Sequence, residues 1–177
     1  VITETIEDKY DDSTGEIKFR YCKIDDNYLK KIKKIYIVAC GTAWHAGLIG
    51  KYYLEEFCGI CVEAAIASEF RYRNVPVSKD DLILIISQSG ETADSLAALR
   101  NAKEKGALSL GICNVRGSAL SRECDGIIYT NAGPEIGVAS TKAFTTQLTV
   151  LFMFSMYMAK IKNIISEKEY KTNLKEL

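Results

Sequence analysis

Residues 82–92 read Leu82-Ile83-Leu84-Ile85-Ile86-Ser87-Gln88-Ser89-Gly90-Glu91-Thr92, and the rest of the chain is organised by what they imply. The first five are uncharged and rich in β-branched side chains, the pattern of a strand buried on both faces of a parallel sheet. A helix is expected over residues 91–105, because Ala93, Leu96, Leu99 and Ala102 recur at helical spacing and Gly106 stands just beyond. Between strand and helix lie the hydroxyls of Ser87, Ser89 and Thr92, a carboxamide and a glycine. They sit where a helix leaves its first backbone N–H groups unpaired and partly positive. Such a turn is a seat for an anion. It holds no Lys or Arg and lacks the spacing of a nucleotide P-loop, so neutral donors would grip a bound phosphate.

On either side the same alternation continues. A short helix is expected over 28–34, then a strand over 35–40, a helix over 42–57 and a strand over 61–67, with Ser68 capping a short helical turn. Beyond the central strand come a strand over 108–113, a helical turn near 118–123, a strand over 126–130 and a long helix from about residue 140. Strands alternating with helices across short turns imply an α/β fold, a three-layer αβα sandwich with a parallel sheet. Residues 26–160 would form this domain. Residues 1–25 are polar, with a turn at 11–15, and read as a lead-in segment that builds no core. Residues 161–177 are charged and read as the start of a connection to a further domain.

Composition narrows the function classes. The chain has 177 residues, 47% of them hydrophobic, enough for one domain with a full core. Its 23 basic residues balance 23 acidic ones, so no net field draws it toward nucleic acid or an anionic membrane. No signal peptide is visible at Val1, and a cytoplasmic setting is expected. The uncharged run 143–159 is broken by Thr145, Thr146 and Gln147, which leaves less than the roughly 20 apolar residues a membrane span needs. A helix buried at an interface is expected there, and with it self-association of the chain. Cys58-Gly59-Ile60-Cys61 looks like a dithiol motif, but Gly59 is placed to end a helix, and the helix C-terminus raises a thiol pKa rather than lowering it. His45 is the single histidine, so neither a metal site nor a cofactor is expected.

Ligands of open parallel sheets collect at the carboxyl ends of the strands. Three turns suit one there: Cys40-Gly41-Thr42-Ala43, where Thr42 could cap the next helix; the Ser87–Thr92 loop; and Gly137-Val138-Ala139-Ser140-Thr141-Lys142. Glu91 would repel a phosphate unless it points away, and it reads as a partner of the helix dipole. Trp44, His45 and Arg71-Tyr72-Arg73 are expected to serve core or interface packing.

At Cys40-Gly41-Thr42, Ala67-Ser68-Glu69-Phe70-Arg71-Tyr72-Arg73, Ser87-Gln88-Ser89-Gly90-Glu91-Thr92-Ala93-Asp94 and Glu135-Ile136-Gly137-Val138-Ala139-Ser140-Thr141-Lys142-Ala143-Phe144, the sequence resembles the first sugar isomerase (SIS) domain of the glutamine:fructose-6-phosphate amidotransferase family. The resemblance covers roughly residues 35–160 and implies a flavodoxin-like sheet. Members of that family make glucosamine 6-phosphate from fructose 6-phosphate and glutamine, the step leading into UDP-N-acetylglucosamine. Their chains join a glutaminase domain to two SIS domains. The resemblance implies that Ser87, Gln88, Ser89 and Thr92 bind the phosphate of fructose 6-phosphate or glucosamine 6-phosphate, and that Thr42, Val138 and Ser140 contact the sugar. Ala43 stands where the family often has Ser, so one hydrogen bond to the sugar is expected to be missing or replaced by water. The catalytic lysine, glutamate and histidine of the family belong to the second SIS domain and a partner subunit of a homodimer, so none is expected here, and the chain should bind without turnover. A non-catalytic sugar-phosphate sensor and a redox protein using Cys58 and Cys61 are the competing classes.

Overall fold

The computed structural model describes residues 1–135 and 140–177. In chain order the elements are α1 (Ile2–Glu7), β1 (Tyr10–Asp11), β2 (Glu16–Ile17), α2 (Asp26–Lys31), β3 (Lys34–Ala39), α3 (Gly41–Cys58), β4 (Cys61–Ile66), α4 (Ala67–Phe70), β5 (Asp81–Ser87), α5 (Ala93–Glu104), β6 (Leu108–Cys113), α6 (Ala119–Glu123), β7 (Gly126–Tyr129), α7 (Lys142–Ile161) and α8 (Glu167–Leu174). Five of the strands form one parallel sheet in the order β4-β3-β5-β6-β7. Counted from β3, this is the 2-1-3-4-5 order of flavodoxin-like folds, with its switch point between β3 and β5.

The sheet is buried on both faces because each strand feeds two cores in alternation. Ile35, Ile37, Leu82, Leu84, Leu110 and Ile112 point to one side, where α2, α3 and α7 cover them. Tyr36, Val38, Ile83 and Ile85 point to the other, against α4, α5 and α6. Every residue of β5 is buried, which accounts for its lack of polar alternation. Each fully buried aliphatic side chain stabilises the fold by about 1.5–3 kcal/mol relative to exposure. The helices approach closely: a Cβ on Gly47 would lie 2.8 Å from Ile37, and one on Gly50 would lie 2.7 Å from Leu151. Glycine thus lets α3 press against both the sheet and α7.

One expectation about the ends of the chain is corrected. Residues 1–25 do build a core: Ile17 is buried with Met153, Met156 and Tyr170, and its backbone N–H donates to Tyr170 Oη at 2.9 Å. Residues 166–174 form a capped helix. Ser166 Oγ accepts from the Glu169 N–H at 3.2 Å, and the Ser166 N–H donates to Glu169 Oε2 at 2.9 Å, a capping box. The expectation for the apolar run is corrected as well. Val150, Leu151, Met153, Phe154, Met156 and Met158 of α7 are each 0% exposed within this single chain, so the run needs no second copy to cover it. Among the described residues no helix is long and apolar enough to cross a membrane. Ser68 lies inside α4 rather than capping it, since Ile66 is the residue at the cap.

The thiols follow burial. Gly59 ends α3 in the left-handed conformation with φ of 59°, and Cys58 donates to the Ser155 carbonyl at 3.2 Å. Burial pushes the Cys58 and Cys124 thiols up to about 12, against about 9 for an ordinary thiol. Below pH 9 both the folded and the unfolded chain keep these protons. Between pH 9 and 12 only the folded chain does, so stability falls as pH rises. The melting temperature, followed by circular dichroism, is expected to decline progressively above pH 9, and iodoacetamide should label exposed Cys61 in the folded chain while sparing Cys58.

Candidate functional site

The pairing of Ala39 with Ile86 brings Cys40 and Ser87 side by side as β3 and β5 end. Above them opens a cleft of about 260 Å³ lined by Cys40, Gly41, Thr42, Ala43, Ile86, Ser87, Gln88, Ser89, Thr92, Glu135, Ser140 and Gln147. Thr42, Ser87, Gln88, Ser89, Thr92 and Ser140 are therefore gathered in one place. Val138 lies outside the described residues. A larger hollow of about 590 Å³ lies at the opposite, amino ends of the strands. There Lys103 is already paired with Asp125 at 2.9 Å, and no helix N-terminus of a βα turn opens into it.

The Ser87–Thr92 loop is built so that its hydroxyls stay available. Ser87 Oγ accepts from the Gly90 N–H at 2.9 Å and Ser89 Oγ accepts from the Glu91 N–H at 3.2 Å. Both hydroxyls are thereby oriented as acceptors toward the backbone, and the Ser89 proton is left for a ligand. The Ser87 and Thr92 hydroxyls are 3.5 Å apart, so they share one proton between them and keep the other. Thr92 is the residue at the start of α5, yet its side chain makes no cap hydrogen bond, and the same holds for Cys40 at α3 and Thr141 at α7. Thr42 lies within α3 and does not cap it, contrary to expectation. Hydroxyl groups at helix starts are usually consumed by capping; here they are not.

The loop is clamped from outside. Asn114 donates its N–H to the Gln88 carbonyl at 3.2 Å, and Leu120 donates to the Gly90 carbonyl at 3.0 Å. Glu91 points away from the cleft and accepts from the Ala119 N–H at 2.8 Å, so it caps α6 rather than its own helix. Gly90 adopts φ of 69° and is packed so tightly that a Cβ would lie 2.2 Å from Ser118 Oγ and 2.7 Å from Cys113 Sγ.

The third turn carries an acid that the sequence reasoning did not assign. Glu135 accepts from the Ala143 N–H at 2.9 Å and from Ser140 Oγ at 3.2 Å. The Ala143 N–H first, then the Thr141 N–H and the Ser140 hydroxyl, hold its carboxyl below the usual carboxylate range. Ser140 donates its hydroxyl hydrogen bond to Glu135, so only its lone pairs remain for a ligand, which suits a sugar hydroxyl rather than a phosphate. Gln147 was also unassigned. Its signal was a lone carboxamide at the edge of an apolar run.

Other expectations change. His45 is exposed, with its ring 4.9 Å from that of Trp44, and does not serve core packing. Arg71 pairs with Asp94 at 2.6 Å and Arg73 with Glu63 at 3.1 Å, tying α4 and its following turn to α5 and β4. All six cysteines are free. Among the described residues no group of three or more His, Cys, Asp or Glu side chains is placed to hold a metal.

The cleft can hold an anion through neutral donors and helix N-termini. Gly90→Ala and Gly41→Ala test whether the clamp matters. Both positions have positive φ, but a Cβ on Gly41 meets open space. Gly41→Ala should cost about 1–2 kcal/mol of stability in urea unfolding, and Gly90→Ala about 1–3 kcal/mol more. Equal losses would refute the clamp.

Comparison with known proteins bears on the family and the fold. The SIS domain family profile matches residues 28–157. The glutamine–fructose-6-phosphate aminotransferase (isomerizing) of Chlorobaculum tepidum is 63% identical over 149 residues, covering 84% of this chain and 24% of that protein. Its counterpart in Clostridium tetani is 55% identical over 154 residues, covering 87% of this chain and 25% of that protein. The chain thus spans about a quarter of the length of these curated relatives. Among solved structures, the C-terminal domain of glucosamine-fructose-6-phosphate aminotransferase from Francisella tularensis superposes with a TM-score of 0.93 at 44% identity, over 99% of this chain and 49% of that one. With its five-stranded parallel sheet, its donor-lined cleft and a profile match across most of its length, the chain belongs to the SIS domain family.

Proposed function

We propose that this chain is the sugar-phosphate-binding SIS half of an isomerizing glutamine:fructose-6-phosphate aminotransferase, and that by itself it binds fructose 6-phosphate or glucosamine 6-phosphate without converting one to the other. The observation that carries the reading is the uncapped start of α5. The Ser87, Ser89 and Thr92 hydroxyls and the Gln88 carboxamide surround backbone N–H groups that the helix cannot pair. A phosphate placed there meets the positive end of the helix dipole and hydroxyl donors already oriented by the loop. Thr42 and Ser140 lie across the cleft, where the sugar carbons would extend, and Val138 is assigned to the same sugar contacts.

Turnover needs a base poised to move a proton between C1 and C2. The ionisable side chains lining the cleft are Cys40 and Glu135, and Glu135 is held ionised by the start of α7. Its carboxylate is spent on structure, so the proton transfer falls to groups outside this chain. The names of the relatives and the share of their length that this chain spans support a parent enzyme of that kind. The same reading places that parent in the cytoplasm, in keeping with six unpaired thiols and with charged metabolites as substrates. It also gives the parent a homodimeric state, as the resemblance implies, and no role in binding nucleic acid.

Isothermal titration with fructose 6-phosphate tests the reading. Ser89→Ala removes a hydrogen bond to a charged group, for which about 1.5–3 kcal/mol is usual, so affinity should fall about 10-fold to 100-fold with unchanged circular dichroism. Incubation of the chain with fructose 6-phosphate and ammonia should yield no glucosamine 6-phosphate. Equal affinity in the two proteins, or turnover by this chain, would overturn the proposal.

A further inference from the structure

One buried polar atom in the cleft has no hydrogen-bond partner among the described residues. Gln147, in the second turn of α7, is 2% exposed, lines the cleft, and its Oε1 is fully buried without a hydrogen bond among the described residues. An orphaned buried acceptor normally costs about 1–3 kcal/mol, and native proteins rarely leave one without a reason. Nearby hydroxyls are already committed: Thr146 donates to the Ala143 carbonyl at 3.0 Å, Thr149 to the Thr145 carbonyl at 3.1 Å, and Ser140 to Glu135 at 3.2 Å. Among the described residues, no group hydrogen-bonds to it.

We propose that Gln147 is a specificity-determining contact to the sugar, its carboxamide hydrogen-bonded to a ligand hydroxyl when the cleft is filled. This rests on the proposed sugar-phosphate site and adds to it the residue that separates a hexose phosphate from a bare phosphate. A phosphate dianion has no proton to give to Oε1. A sugar hydroxyl both gives and accepts, so it serves the carboxamide in either of its two flipped orientations. A ligand that pairs this atom gains a hydrogen bond that the empty cleft leaves unmade, and a ligand without the matching group does not. Gln147 stands in the same cleft as Ser140, whose remaining lone pairs also favour a hydroxyl. The α7 side of the cleft thus reads sugar, while the α5 side reads phosphate.

Gln147→Met keeps the volume and removes both hydrogen-bonding atoms. Its melting temperature should equal or exceed that of the wild type, since the orphan is gone. Its affinity for fructose 6-phosphate should fall about tenfold or more, and its affinity for inorganic phosphate should stay within about twofold. Unchanged affinity for fructose 6-phosphate, or an equal loss for both ligands, would overturn the inference. A parallel titration of Ser89→Ala separates the two levels: loss there with none in Gln147→Met sinks only the Gln147 assignment, whereas no loss in Ser89→Ala sinks the site itself. A second test needs no variant to fold. Titrating the wild-type chain with a series of deoxyhexose 6-phosphates should reveal one hydroxyl whose removal costs a similar factor, and a flat series would overturn the inference.

Discussion

Gly90 has no room for a side chain, and the Ser87–Thr92 loop takes its shape from that constraint. The backbone turns through positive φ against Ser118 and Cys113, which directs the Gly90 N–H to Ser87 and leaves its carbonyl for Leu120. Glu91 then reaches across to the start of α6. In this way the connection between β6 and α6 supports a loop that belongs to β5 and α5. The Ser87 and Ser89 hydroxyls accept from the loop's own backbone, and with the loop also clamped from outside, the Ser89 proton stays available to a ligand.

The cleft divides its work between two helix starts of opposite chemistry. At α5 the donors are neutral and uncommitted, and the helix dipole supplies the positive potential. At α7 a carboxylate already occupies the first turn, with Glu135 bonded to Ala143 and Ser140. An anion is therefore drawn to one side and turned away from the other, so a phosphorylated ligand has a single direction in which to lie. Neutral donors suit such a ligand because they hold it without the strong, salt-sensitive attraction of a lysine cluster.

The central architecture was legible because β5 is so plainly a doubly buried strand and α5 so plainly amphipathic. The order of the turns along the chain then placed Thr42, Ser87, Gln88, Ser89, Thr92 and Ser140 in one cleft. Individual roles were harder to read. Glu91 and Glu135 look alike in sequence, yet one caps a helix distant in the chain and the other caps its own neighbour, and only the folded path distinguishes them. The burial of Ile17 and Tyr170 was illegible for a different reason. Ile17 and Tyr170 are single apolar residues in polar surroundings, with no period to announce burial, and they are buried because Met153 and Met156 need cover. The capping box at Ser166 and Glu169 was a signal present in the sequence and passed over.

The bond from the Ile17 backbone to the Tyr170 phenol joins segments 153 residues apart, and Lys160 adds ion pairs to Glu16 and Glu167 around it. The segments around Ile17 and Tyr170 are thus buckled together over the middle of α7. Neither can peel away without exposing the methionines beneath the other, so fraying at one end loosens both, and the clasp rather than the sheet sets where local opening begins.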